Sequence, residues 1–135
     1  MAIIYGYISS SAADDKALSD FNKAVLQRLP QYGSYICRDM FAMLPFDNRA
    51  LCKYSHIIHF AAEYDEMYVM PDDWLEEFES LLSQLYWNHV NVIETYSGNR
   101  FVWRADECGL EKISAITKWN RIAFESYHYL KEIEY

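Results

Sequence analysis

Eight carboxylates fall within the seventeen residues 63–79, EYDEMYVMPDDWLEEFE, and no lysine or arginine stands among them. Such a density could cage a cation, share protons in hydrolysis, dock a basic partner or keep a helix wet. A calcium loop needs the D-x-D-x-D-G spacing and a sharp glycine turn, and this stretch has neither. Paired carboxylates for hydrolysis must face each other across a cleft. Acids on a single helix diverge, so neither metal binding nor catalysis is expected of them.

The other reactive side chains yield less. His56 and His59 are three apart in a strand-like run and would point to opposite faces of it, which prevents them from sharing one ion. His89 and His128 have no motif around them. Cys37, Cys52 and Cys108 are odd in number and form no C-x-x-C pair, so they are expected to be reduced and mostly buried. Cys108 lies in DECGLE, where neighbouring acids disfavour a thiolate. SSSAADD after the first apolar run lacks the glycines and lysine of a phosphate loop and suits helix capping. The residues therefore indicate no enzyme, no metal site and no cofactor.

The elements that carry these residues follow from periodicity. IIYGYIS, 3–9, is β-branched and aromatic and apolar on both alternating faces, as a central strand would be. Leu18, Phe21, Val25 and Leu29 recur at helical spacing before Pro30 stops the run. SYICRDMFAML (34–44) and YSHIIHFAAEY (54–64) are expected strands joined by a turn at PFDNRA. In PDDWLEEFESLLSQLYW, Trp74, Leu75, Phe78, Leu81, Leu82 and Leu85 occupy one arc of a helix. Asp72, Asp73, Glu76, Glu77 and Glu79 occupy the other. HVNVIETYS and RFVWRAD form a hairpin turning at Gly98 and Asn99. Residues 110–132 fit a terminal helix, with a strand pair meeting near Asn120 as the alternative. The order βαββαβ, plus a hairpin strand and that helix, predicts a single α+β domain of ferredoxin-like topology spanning residues 1–135.

Composition supports one compact domain: 135 residues, 52% hydrophobic and 24% charged, with twelve tyrosines. No apolar run approaches the roughly 20 residues that a membrane span requires, and no signal sequence is evident, so a cytoplasmic protein without membrane contact is expected. The net charge of −8 disfavours direct nucleic-acid binding. Between Tyr54 and Asn99 nine acids and no lysine or arginine leave the rest of the chain at +1. The first turn of the acidic helix is favoured by its dipole through Asp72 and Asp73, at about 0.3–1 kcal/mol each. Glu76, Glu77 and Glu79 have no basic residue three or four positions on, so along the helix this face repels itself. A basic partner would relieve that repulsion.

IIYGYIS, CRDMF, HIIHFAAEY, W-L-x-x-F-E-x-L-L and FVWRA, in that order over residues 3–105, resemble stretches of small bacterial immunity proteins of contact-dependent and other polymorphic-toxin systems. The resemblance implies a non-enzymatic inhibitor that covers a cognate toxin, with a nuclease's basic groove as the natural target. The expected partner-binding surface comprises Tyr64, Asp65, Glu66, Tyr68, Asp72, Asp73, Glu76, Glu77 and Glu79, with Met70 beside it. Charge would set the association rate and buried aromatics the affinity. Reversing Glu76, Glu77 and Glu79 is expected to slow capture and leave the fold intact. A regulatory or adaptor module of a mobile element, including a mimic of nucleic-acid charge, is the other reading of the same surface.

Overall fold

The computed structural model describes residues 1–11, 15–44, 49, 51–52, 56–67, 70–105 and 112–124. Six strands and two α-helices occur among them: β1 Ala2–Ser9, α1 Asp15–Gln27, β2 Phe41–Met43, β3 Ile57–Tyr64, α2 Asp72–Leu82, β4 His89–Glu94, β5 Arg100–Arg104 and β6 Asn120–Phe124. The strands form one antiparallel sheet in the order β2-β3-β1-β4-β5-β6. The protein is therefore α+β, as expected. Six strands in that order are not the sheet of a simple ferredoxin fold. No helix among the described residues is long and apolar enough to cross a membrane.

Alternation decides where the core sits. Ala2, Ile4 and Ile8 of β1, Ile58 and Phe60 of β3, and Val90 and Val92 of β4 are buried on the face that carries both helices. Leu18, Val25 and Leu26 of α1 and Trp74, Phe78, Leu81 and Leu82 of α2 complete the same cluster. Each Val, Leu, Ile or Phe among them contributes about 1.5–3 kcal/mol when fully buried. Trp74 belongs to this core: it is 0% exposed and its ring stacks on Phe78 at 4.9 Å. β1 is central, but only its even-numbered side chains are covered. Gly6 lets β4 come close, since a Cβ there would stand 1.9 Å from the Asn91 carbonyl oxygen.

Three expectations are corrected. Residues 34–44 are not a strand throughout: 34–36 bend, Arg38–Met40 makes one 3₁₀ turn, and only Phe41–Met43 pairs, at the sheet edge. The backbone of 36–38 bonds elsewhere, Ile36 N–H to Glu77 and Arg38 N–H to the Pro30 carbonyl. Arg38 also closes the end of the first helical segment by donating twice to the Leu29 carbonyl, at 3.2 and 3.0 Å. The terminal helix is absent over 112–124, where 113–119 run without regular structure and β6 pairs with β5. The rest of that expected helix lies outside the described residues. Ile116 is buried and its N–H bonds the Leu85 carbonyl, so a tertiary contact takes the place of the helical ladder.

The third correction concerns the β4–β5 connection, which holds five residues instead of a tight two-residue turn. Gly98 alone takes positive φ, at 75°, and Asn99 does not. The fully buried Glu94 carboxylate organises this loop by accepting from Tyr96 N–H at 2.6 Å, Ser97 N–H and the Ser97 hydroxyl.

Candidate functional site

The carboxylates of α2 separate into three groups for a geometric reason. At about 100° per residue, Glu79 falls about 40° from Leu75 and Glu77 about 40° from Leu81, so both flank the apolar arc on opposite sides. Asp73, Glu76 and Ser80 occupy the middle of the outer face. The two flanking acids reach protein donors, and the central ones face solvent.

Glu79 is held within the molecule. Its Oε2 accepts from the indole N–H of Trp103 at 3.1 Å and of Trp119 at 3.0 Å, and its Oε1 meets Arg121 at 2.7 Å. Arg121 is 42 positions away in sequence, so the expectation of an unpaired Glu79 is corrected by β6, which brings the cation to the helix. Trp87 caps the C-terminal end of the same helix, its indole N–H donating to the Leu82 carbonyl at 2.8 Å. Glu77 accepts from Ile36 N–H at 3.2 Å and ties down the 34–36 loop. Reversing Glu79 would therefore disturb the fold as well as the surface.

Tyr64 ends β3 half-buried. Its hydroxyl donates to the Tyr35 carbonyl at 2.7 Å and accepts from the Trp74 indole at 2.9 Å. Burial pushes the Tyr64 phenol above its ordinary value, opposed in part by the hydrogen bond from Trp74. Met67 and Met70 pack against the core from the outside. Tyr68 lies outside the described residues. Asp65 and Glu66 are exposed in the turn after β3, and Asp72, Asp73 and Glu76 are exposed on α2.

What joins these acids is Tyr35, which the sequence reading did not single out. The residue is 38% exposed and its ring lies 6.1 Å from the Tyr64 ring. It walls an open cleft of about 750 Å³ with Glu63, Asp65, Glu66 and Met67, and a second of about 420 Å³ with Asp73, Glu76, Glu77 and Ser80. The structure thus gathers Tyr64, Asp65, Glu66, Asp73, Glu76 and Glu77 around one aromatic side chain. Neither cleft is lined by a lysine or arginine among the described residues. Tyr35 gave no sequence signal because it sits in a segment whose alternation resembled a strand.

The remaining reactive residues do not converge here. His59 is exposed on β3 and pairs across the sheet with Tyr7 and Ala42, while His56 precedes the strand. No group of three or more metal-ligating side chains occurs among the described residues. Cys52 is exposed and Cys37 half-buried, so the expectation of buried thiols is corrected for both; Cys108 lies outside the described residues. A carboxylate-lined cleft with an aromatic wall can attract and desolvate a cationic side chain through charge and ring-face contact.

No protein-family model matches the chain, and no curated protein or solved structure matches it.

Proposed function

We propose that this chain is a cytoplasmic immunity protein that binds and neutralises a cognate bacterial toxin, one with a basic active groove, without catalysis of its own. The observation that carries the reading is the grouping of Asp65, Glu66, Asp73 and Glu76 on two sides of a partly exposed Tyr35. Tyr64, Trp74 and Glu77 brace that surface from behind. A pre-ordered surface loses less entropy on binding, and a cluster of one sign of charge accelerates encounter with a partner of the other. The resemblance to immunity proteins supplies the class of partner. We also read the βαββαβ run, with strands β2-β3-β1-β4 adjacent in that order, as a ferredoxin-like core extended at one edge by β5 and β6.

The test is association with the toxin domain encoded directly upstream of this gene, followed by stopped-flow fluorescence. Glu66→Lys, Asp73→Lys and Glu76→Lys combined are expected to slow association at least tenfold at low salt and flatten its salt dependence. Tyr35→Ala is expected to act on dissociation instead. The absence of a toxin domain at that locus, or equal association rates for the triple variant and the parent, would sink the reading.

A further inference from the structure

Between β5 and β6 the burial of the described chain follows a period that is neither 3.6 nor 2. Ile113 and Trp119 are half-buried against the core and Ile116 is buried within it, while the pairs between them, Ser114 with Ala115 and Thr117 with Lys118, are exposed. Inward residues at i, i+3 and i+6 suit an extended chain of three residues per turn, which makes no hydrogen bonds of its own. Such a segment is held by what it touches.

It touches the end of α2 and the residues just beyond it. Ile116 donates its N–H to the Leu85 carbonyl at 2.9 Å, and the Trp119 ring lies 5.7 Å from the Trp87 ring, tilted by 48°. Leu85 and Trp87 are both fully buried in the core. Glu79 fixes the far end of the segment by accepting from the Trp119 indole and from Arg121, the second residue of β6. Its bond from Trp103 lies within the body of the sheet, so the carboxylate joins the segment to the rest of the molecule.

β6 is the least enclosed of the longer strands. It ends the sheet, with β5 as its strand neighbour, and four of its five residues are exposed. β1 by contrast is paired on both sides and sends Ile4 and Ile8 into the core. Local stability follows buried apolar contact, so the two strands differ in what it takes to open them.

We propose that residues 113–124 form a latched strap, which opens as one unit while β1 to β5 and both helices stay folded. Glu79 is the latch. Opening uncovers a groove floored by Leu85 and Trp87, shaped for an extended chain with apolar residues at i and i+3 and a tryptophan at i+6. The strap is the groove's own occupant in the closed state, and the device does not depend on the partner of the Tyr35 clefts.

Amide hydrogen exchange of the ¹⁵N-labelled full chain, in urea below its unfolding transition, tests the opening. Ile116 and the β6 amides bonded to β5 are expected to exchange at one common rate, at least a hundredfold faster than the β1 amides and with a shallower urea dependence, because only local surface is exposed. Exchange of both sets at the same rate and with the same urea dependence would overturn the proposal. The groove is tested in the variant Ile116→Asp with Trp119→Ala, which is expected to release the strap and keep the β1 to β4 cross-peaks in place. A peptide of residues 112–124 added to that variant should shift the Leu85 and Trp87 amides saturably. The same peptide with Ile113→Ser and Ile116→Ser keeps its charge and should bind at least tenfold more weakly. Equal binding of the two peptides, or no shift at Leu85 and Trp87, would overturn the assigned groove; should the double variant not fold, the exchange pattern of the parent decides alone.

Discussion

Glu79 shows how one residue changes meaning between chain and fold. On the helix it is one more acid in an unpaired row; in the molecule two indoles and a guanidinium converge on it. The hydrogen bonds matter more than the charge, because the ion pair with Arg121 is partly exposed and such pairs contribute about 0–1 kcal/mol. Glu79→Gln, which keeps an acceptor, is expected to cost less than about 1 kcal/mol in urea unfolding. Glu79→Leu leaves two indole N–H groups without their acceptor and is expected to cost about 2–4 kcal/mol. Equal losses for the two variants would show that the charge dominates. His89 offers a pH test at the same scale. Burial and then the neighbouring Arg104 lower its pKa below the ordinary 6.5, so the folded state disfavours the imidazolium. The associated stability is complete above pH 6.5 and is lost as pH falls through the folded-state value. The urea midpoint of the parent is expected to fall on acidification below 6.5 more steeply than that of His89→Gln; parallel curves would reject the assignment.

Asn22 belongs to the scale of elements, since it joins α1 to the segment that leads from α2 into β4. It is 1% exposed, and its side-chain amide both donates to the Tyr86 carbonyl and accepts from the Tyr86 N–H, each at 2.9 Å. Helical spacing already turns Asn22 inward, four positions from both Leu18 and Leu26, and the Tyr86 backbone supplies the partners that let a polar side chain sit there. Asn22→Ala should cost about 2–4 kcal/mol, as two buried backbone groups lose their partners. A loss under about 0.5 kcal/mol by chemical denaturation would refute that role. The helices and most strands were legible because their apolar periods are long and regular. Residues 34–44 and the span before β6 were not, because their backbone groups are satisfied by distant partners: Glu77, the Pro30 carbonyl and the Leu85 carbonyl.

Across the whole molecule, charge and apolar surface are sorted onto opposite sides. Asp65, Glu66, Asp73 and Glu76 collect around Tyr35 on one side, and Arg100 and Arg104 stand among exposed Tyr5 and Ile122 on the other. Among the described residues both α-helices cover the same side of the six-stranded sheet, which produces this arrangement. The expected slowing of toxin association by variants at Asp73 and Glu76 therefore belongs to the first side alone.

The concentration of acid between Tyr54 and Asn99, the amphipathic character of α1 and α2 and the α+β class were determined by the sequence alone, because each rests on local composition or on a period of 3.6 or 2. So was the identity of most of the acids that gather at the clefts. Only the tertiary structure decided which of them remain outward, that Glu79 belongs to β6 and two tryptophans, that Trp74 is core, and that Tyr35 stands at the centre of the surface. The physical reason is that a helix specifies its own angular pattern, whereas the donors that claim its flanking carboxylates arrive from 24 to 42 positions away.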